Sequence, residues 1–117
     1  MNSREKGKRG ELEACDALQA ALGIECRRSV QYSGRSGDAD LLCDVDLHIE
    51  VKLTERLNPY AFIDQVQRDS KGKKRGLVVM RSNYRPWLVL CRLQDMAAIA
   101  QVIDAKRLSV QHPGPIL

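Results

Sequence analysis

The chain has 117 residues, of which 44% are hydrophobic and 29% are charged, so it is long enough for one modest core and we expect a single domain over residues 1–117. Its 19 Lys and Arg residues exceed its 15 Asp and Glu residues, which favours a polyanionic partner. No apolar run approaches the roughly 20 residues of a membrane span, so no membrane partner is expected. The four cysteines form no C-x-x-C pair, and this favours free thiols in a reducing cytoplasm.

The first predicted element is a helix from Ser3 to Leu22, which Gly23 would end. Its apolar stripe follows the helical repeat and consists of Leu12, Ala14, Cys15, Leu18 and Leu22. Glu11 falls on the same stripe, where a carboxylate is expected to be ion-paired, hydrogen-bonded or near a metal, unless it lies at the end of the stripe and reaches water. A first strand is then predicted from Ile24 to Tyr32.

A hairpin is predicted after this strand. Residues Ala39 to Cys43 are strand-like, and a short polar break separates them from a second run in which apolar residues alternate with His48, Glu50 and Lys52. Alternation of this kind is typical of a half-buried strand, and it places Glu50 and Lys52 on the same face. Because the break is short, the two segments are expected to pair as antiparallel neighbours, which would bring Asp40 beside Glu50.

A second helix is predicted from Asn58, as the N-cap, and Pro59, as the first helical residue, to about Ser70. The side chains that we expect it to bury are Tyr60, Phe62, Ile63 and Val66. The basic loop from Lys71 to Gly76 follows. Such a loop is usually only solvated, but beside the acids of the hairpin it would suit a phosphate backbone.

Two strands and a last helix complete the chain. A continuous apolar run from Leu77 to Arg81 predicts a strand buried on both faces, and Pro86 to Arg92 predicts another. Trp87 in this strand is expected to pack in the core, with stacking on a base as the alternative. The helix is expected over about Gln94 to Ala105, with an irregular tail over about 108–117, and its predicted buried residues are Met96, Ile99, Ala100 and Ile103. The order is αβββαββα, which predicts an α/β or α+β fold with a mixed sheet flanked by helices.

The face shared by Asp40, Glu50 and Lys52 combines two carboxylates and one ammonium group. Metal-assisted phosphodiester hydrolysis needs such groups, because Mg²⁺ prefers carboxylate oxygens and a cation is needed near the attacking water or the scissile phosphate. The alternative interpretation is a hairpin whose outer face is simply charged.

These three residues resemble the PD-(D/E)XK nuclease motif, although Ala39 stands where that family often has proline. The wider order also matches: GKRGELE in the first helix, then GDAD, HIEVK, a helix with a glutamine, and RPWLVL. In this layout the chain resembles small phage-encoded PD-(D/E)XK endonucleases and is similar to archaeal-type Holliday junction resolvases, from about Lys6 to Asp95. The resemblance implies a restriction-endonuclease-like fold.

It also implies roles for individual residues. The implied metal ligands are Asp40, Glu50, the backbone carbonyl of Val51 and, directly or through water, Glu11. Lys52 would orient or deprotonate the attacking water, and Gln65 matches a helix glutamine that projects toward the site in related nucleases, although its spacing also fits a solvated residue. Asp38 stays ambiguous between a supporting group, an alternative ligand and a turn residue.

The implied cofactor is Mg²⁺, for which Mn²⁺ would substitute, with no small-molecule cofactor. The implied partners are DNA, which could be branched, and a second copy of the chain in a homodimer. The residues expected to contact phosphates are Arg4, Lys6, Lys8 and Arg9 in the basic segment 1–9, then Arg35, Lys71, Lys73, Lys74 and Arg75. The alternatives are a non-catalytic DNA-binding module, a metal-dependent nickase and an RNA nuclease. Acids facing a polyanion would give a pure binder no advantage, which favours an enzyme.

Overall fold

The architecture is a mixed β-sheet with helices on both faces, seen in a computed structural model that describes residues 3–29 and 39–111. In chain order the elements are α1 (Ser3–Leu22), β1 (Cys26–Arg28), β2 (Leu41–Cys43), β3 (Leu47–Leu53), α2 (Pro59–Ser70), β4 (Arg75–Arg81), β5 (Leu88–Leu90), a 3-10 turn (Leu93–Asp95) and α3 (Met96–Gln111). The sheet order is β1-β2-β3-β4-β5, with β3 and β4 parallel and the other neighbours antiparallel. The predicted fold class and element order are confirmed.

The sheet separates two apolar cores. On one face, α1 and α3 cover the larger core, which is built from Ala14, Leu18, Ile24, Leu41, Leu47, Ile49, Leu77, Val79 and Ile99. On the other face α2 contributes Val66, which packs against Val78 and Met80 of β4. Glu50 and Lys52 pair in register with Val78 and Met80, so they lie on the α2 face of the sheet.

Local sequence signals explain how α2 reaches this face. The Asn58 Oδ1 accepts a hydrogen bond of 3.2 Å from the Ala61 backbone N–H, as expected for an N-cap, and Lys71 ends the helix with a left-handed φ of 53°. Gly76 in β4 lies under the helix, and a Cβ there would stand 3.0 Å from a methyl carbon of Val66. The missing side chain therefore allows α2 to approach the sheet closely.

The predicted bounds of α1 are confirmed. The Gly23 N–H donates to the Gln19 carbonyl at 3.0 Å, and Gly23 has a φ of 70°, which favours glycine over residues with a side chain. Gly10 faces Leu53, whose Cβ would lie 3.2 Å from an added methyl group, so α1 packs closely on β3. Leu12 is exposed, and its assignment to the buried stripe was wrong.

Three predicted core residues are in fact on the surface. Tyr60 is 83% exposed, because it lies outside the helical series formed by Phe62 and Val66. In α3, Met96 is 58% exposed at the first helical position, and Ala100 directly follows the buried Ile99 and points away from the core. Phe62, Ile63 and Ile103 are partly buried, so those predictions hold in part.

Several predicted boundaries and burial patterns also differ. Strand β1 covers only three residues, and the predicted Val30 to Tyr32 lie outside the described part of the chain. Arg75 begins β4 instead of lying in a loop, because it pairs with Leu47 across the ladder. Helix α3 continues to Gln111, so the expected irregular tail is wrong for residues 108–111, while 112–117 lie outside the described residues.

The prediction that β3 is half-buried was wrong for its first part, where four consecutive residues from Leu47 to Glu50 are buried. The cause is that helices cover both faces of the sheet, so that no face of this segment reaches water. For β4, the predicted burial on both faces is confirmed, since Gly76 to Met80 are all buried.

The cysteines are free thiols, as predicted from their spacing. Cys26 and Cys43 nevertheless face each other across the β1–β2 ladder, with their sulfur atoms 3.1 Å apart. The hydrogen bond between these thiols raises the pKa of Cys26 and lowers that of Cys43. They are therefore a contacting pair and not only isolated apolar side chains.

Where the structure describes the chain, its helices are too short or too polar to cross a membrane.

Candidate active site

The hairpin of β2 and β3 places two acids in contact. Leu41 pairs with Ile49 in antiparallel register, and one further step along the strands sets Asp40 opposite Glu50, as the sequence predicted. Glu50 is only 2% exposed, and its carboxyl group is hydrogen-bonded to that of Asp40. The Asp40 Oδ2 also accepts a hydrogen bond of 2.8 Å from the Val51 backbone N–H, which fixes the position of this acid against β3.

The carboxyl groups of Asp40 and Glu50 repel each other when both are ionised. The pKa of the Asp40 carboxyl group is raised to about 7, first by burial and then by the hydrogen bond to Glu50 and the charge of Glu50, whereas the Val51 N–H lowers it. Glu11 adds a smaller contribution in the same direction, so its charge is also near. A negative pair of this kind favours either a shared proton or a bound cation.

Lys52 lies on the same strand face as Glu50. Its Nζ donates a hydrogen bond of 2.7 Å to the Gln65 Oε1 on α2, and it lies 5.5 Å from the centre of the Phe62 ring. The structure therefore brings the predicted Lys52 and Gln65 together. The Gln65 contact fixes a long and otherwise flexible side chain on the strand face that also carries Glu50.

Glu11 approaches from α1, on the opposite side of β3, and lines one groove together with Val51 and Lys52. Its Oε2 accepts a hydrogen bond of 3.0 Å from the Arg28 Nε on β1. Glu11 was expected to have a partner because it falls on the apolar stripe of α1, and Arg28 is that partner. No role for Arg28 could be predicted from the sequence, because nothing in the spacing relates it to a helix residue.

One further side chain belongs to this cluster. His48 is 6% exposed, and its Nε2 lies 2.9 Å from the Glu50 Oε1. The sequence reading placed His48 in the same alternation as Glu50 and Lys52 but gave it no role. Position i−2 on a strand was the signal that could have identified it, since such residues share a face.

The donor set suits a hard divalent cation, although it is not a complete cage. Among residues 3–29 and 39–111, no group of three His, Cys, Asp or Glu side chains converges tightly enough to bind a metal by itself. The contacting Asp40 and Glu50 provide carboxylate oxygens in a buried setting, and a cation would relieve the repulsion that raises the pKa of Asp40. These residues therefore fit Mg²⁺ or Mn²⁺ with water completing the coordination.

The predicted phosphate-contacting residues lie in two places. Lys6, Lys8 and Arg9 are on the first turns of α1, where Lys6 lines the same groove as Glu11 and Lys52. The second group is Lys71, Lys73 and Lys74, which are exposed in the turn between α2 and β4.

Four other predicted residues differ in status. The Arg75 Nη1 donates to the Asp95 Oδ1 at 2.9 Å, so this guanidinium is partly engaged within the protein. The side chain of Arg4 and all of Arg35 lie outside what the structure describes, as does Asp38.

Comparisons with known proteins agree with this architecture. The family described as "Phage putative PDDEXK endonuclease" matches residues 2–113. Among solved structures, the chain is similar to Hjc of Archaeoglobus fulgidus, a Holliday junction resolvase, with a TM-score of 0.55 and 18% sequence identity over 71% of this chain and 74% of that one. No curated protein matches the chain. At this identity the structural similarity shows a shared fold, whereas the family match spans nearly the whole sequence. The chain therefore belongs to the phage PDDEXK endonuclease family.

Proposed function

We propose that this endonuclease depends on Mg²⁺, with Mn²⁺ as a substitute, and cleaves phosphodiester bonds in branched DNA such as a four-way junction. The observation that carries the proposal is the buried contact of Glu50 with Asp40, with Glu50 on the same strand face as Lys52. The resolvase activity stated for the Archaeoglobus neighbour supports a branched substrate.

In this proposal Asp40 and Glu50 hold the metal ion with the backbone carbonyl of Val51, and Glu11 joins them directly or through water. When bound, the ion supplies positive charge next to the scissile phosphate. Glu11 is already paired with Arg28, so its participation needs either a shared or a shifted carboxylate. The Val51 N–H keeps Asp40 in place, because it already occupies one of the two carboxylate oxygens.

Lys52 has the position and the donors to act on the attacking water. An ammonium group has three N–H donors, and one of them is used by Gln65. The remaining donors are available to orient a water molecule and to stabilise charge on the phosphate oxygens. Gln65 acts in this scheme by fixing the direction of the Lys52 side chain.

The exposed basic turn is proposed to contact the DNA backbone. Replacing Lys73 and Lys74 by alanine should weaken binding of all DNA substrates to a similar degree and lower the slope of log K against log salt by about two. Fluorescence anisotropy at several salt concentrations measures this slope. Arg85→Ala with Arg107→Ala removes the same charge from exposed positions and is the matched control. If both double variants show the wild-type slope, the turn lies away from the DNA.

A homodimer is proposed because one such site cuts one strand, whereas resolving a four-way junction needs two cuts related by symmetry. The chain offers exposed apolar surface where β5 leads into α3. The exposed residues proposed to form it are Val89, Leu93 and Met96. Apolar residues at the centre of an interface are typical of homodimers, so this surface is the proposed contact between the two copies.

The test is a cleavage assay with labelled four-way junction, linear duplex, single-stranded DNA and RNA, with and without Mg²⁺, on protein whose mass is known from light scattering. We expect a dimer mass and paired, metal-dependent cuts placed symmetrically on the junction. A monomer that makes single cuts would identify a nickase instead. DNA binding without cleavage in Mg²⁺ or Mn²⁺ would identify a non-catalytic binding module, and cleavage of RNA alone an RNA nuclease.

A further inference from the structure

We infer that His48 is a positioning residue for Glu50: by donating a hydrogen bond to one oxygen of this carboxylate, it sets the affinity of the site for a divalent cation. The inference rests on the proposed function, since it concerns how the same site holds its metal ion.

The contact itself defines the direction of the hydrogen bond. The His48 Nε2 lies 2.9 Å from the Glu50 Oε1, and both side chains are buried. An ionised carboxylate only accepts, so beside an ionised Glu50 the Nε2 carries the proton, whether the imidazole is neutral or charged. A charge-assisted hydrogen bond between buried groups is stronger and more directional than one at the surface.

The backbone around His48 is suited to fixed positioning. His48 and Glu50 are two residues apart on β3, so they project from the same face of a strand that is paired along its length with β4. The residue beside His48 across this ladder is Gly76, which contributes no side chain. His48 and Glu50 share one face of β3, and the reach of the imidazole to Glu50 is set by the strand geometry.

The two acids of the site are held in the same way. The Asp40 Oδ2 accepts from the Val51 N–H, and the Glu50 Oε1 accepts from His48. Each carboxylate thus has one oxygen held by the protein, and a cation would bind where the two acids now contact each other. Groups that orient metal ligands in this manner typically change metal affinity by about 10- to 100-fold when they are removed.

A purely structural role for His48 predicts different measurements. If His48 only filled space in the protein interior, its replacement would lower the unfolding temperature and leave the metal affinity of the folded protein unchanged. If it positions Glu50, the affinity changes in the folded protein, and a replacement that restores the donor restores the affinity.

The experiment compares His48→Gln, His48→Leu and His48→Asn in the full chain. The glutamine amide reaches the position of the Nε2 and keeps a donor there, leucine removes the donor, and the shorter asparagine keeps a polar group that does not reach Glu50. Calorimetric titration with Mn²⁺ in the absence of DNA gives the dissociation constant, and thermal unfolding shows that each variant is folded. Cleavage rates measured at increasing Mg²⁺ then give two separate values. These are the Mg²⁺ midpoint, which is the concentration that gives half the maximal rate, and the rate at saturating Mg²⁺.

We expect His48→Leu and His48→Asn to raise the Mn²⁺ dissociation constant and the Mg²⁺ midpoint by about 10- to 100-fold, with His48→Gln close to wild type. If leucine prevents folding, the asparagine and glutamine variants still make the comparison. Wild-type Mn²⁺ affinity in a folded His48→Asn or His48→Leu variant would overturn the inference and leave the proposed function standing. A wild-type protein that neither binds Mn²⁺ nor cleaves DNA would instead refute the proposed function.

Discussion

Replacing Asp40 by asparagine, or Glu50 by glutamine, should lower DNA cleavage by more than about 10³-fold at saturating Mg²⁺, because a bound ion supplies several kcal/mol of transition-state stabilisation. Each amide keeps the shape of the acid and removes the charge that attracts the ion. DNA binding should persist or tighten, since a negative charge that faces phosphates is lost. The measurement is single-turnover cleavage together with a binding assay.

The same two variants should also change the thermal stability of the protein. Without metal, both should unfold at a higher temperature than wild type, because the amide relieves the repulsion between the buried Asp40 and Glu50. Mg²⁺ should raise the unfolding temperature of the wild type and not of the variants. Asp46→Asn, at an exposed position of the same hairpin, is the control. Full cleavage by either site variant at limiting Mg²⁺ would contradict the ligand assignment.

The largest loss of stability is expected for Asp95→Ala. This carboxylate is 1% exposed and accepts hydrogen bonds from Arg75 at 2.9 Å and from Arg92 at 2.7 Å, which connects β4 to the start of α3. Its removal leaves both guanidinium groups without their partner. Because the two guanidinium groups are partly exposed, the loss should be near the lower end of the range for breaking a buried ion pair. We expect the free energy of unfolding to fall by about 3 kcal/mol and Tm to fall by about 10 °C. Urea unfolding measures the loss.

The effect of Asp95 should depend on pH in one direction. Hydrogen bonds from Arg92, and then from Arg75, hold the pKa of this carboxyl below its ordinary value, although burial opposes them. Its stabilising contribution is therefore complete above the unfolded pKa of about 4 and is lost as the pH falls through the folded value. The difference between wild type and Asp95→Ala should be constant between pH 5 and 8 and shrink below about pH 4. The exposed Asp104→Ala on α3 should change little.

The hairpin could be predicted from sequence because its determinants are local. Alternation along β3 fixed the face of Glu50 and Lys52, and the short break fixed which strand pairs with it, so Asp40 was placed correctly. The cap of α2 was equally local, since Asn58 and Pro59 carry the signal themselves. In such cases the partner lies within a few residues, and spacing is sufficient information.

The partners of the charged residues could not be predicted in this way. Glu11 and Arg28 are 17 positions apart on a helix and a strand, and Arg75 and Asp95 are 20 apart on a strand and a turn. Their contacts depend on how whole elements pack, which no repeat in the sequence encodes. His48 shows a third limit: its strand face was apparent, but its contact with Glu50 depends on side-chain rotamers.

The parallel pairing of β3 with β4 through α2 has a consequence for how the family can vary. Apart from Glu11 and its partner Arg28, the described residues of the site all come from the stretch 40–65, whose hydrogen-bonded pairs are 2 to 13 positions apart. The residues proposed to carry the chemistry thus lie mostly in one short segment, whose contacts join residues that are close in sequence. None of these residues lies on β5 or α3, so substitutions at exposed positions of these two elements do not remove a group of the site. Descendants of one ancestral nuclease could therefore acquire new assembly surfaces there while retaining the same cutting site.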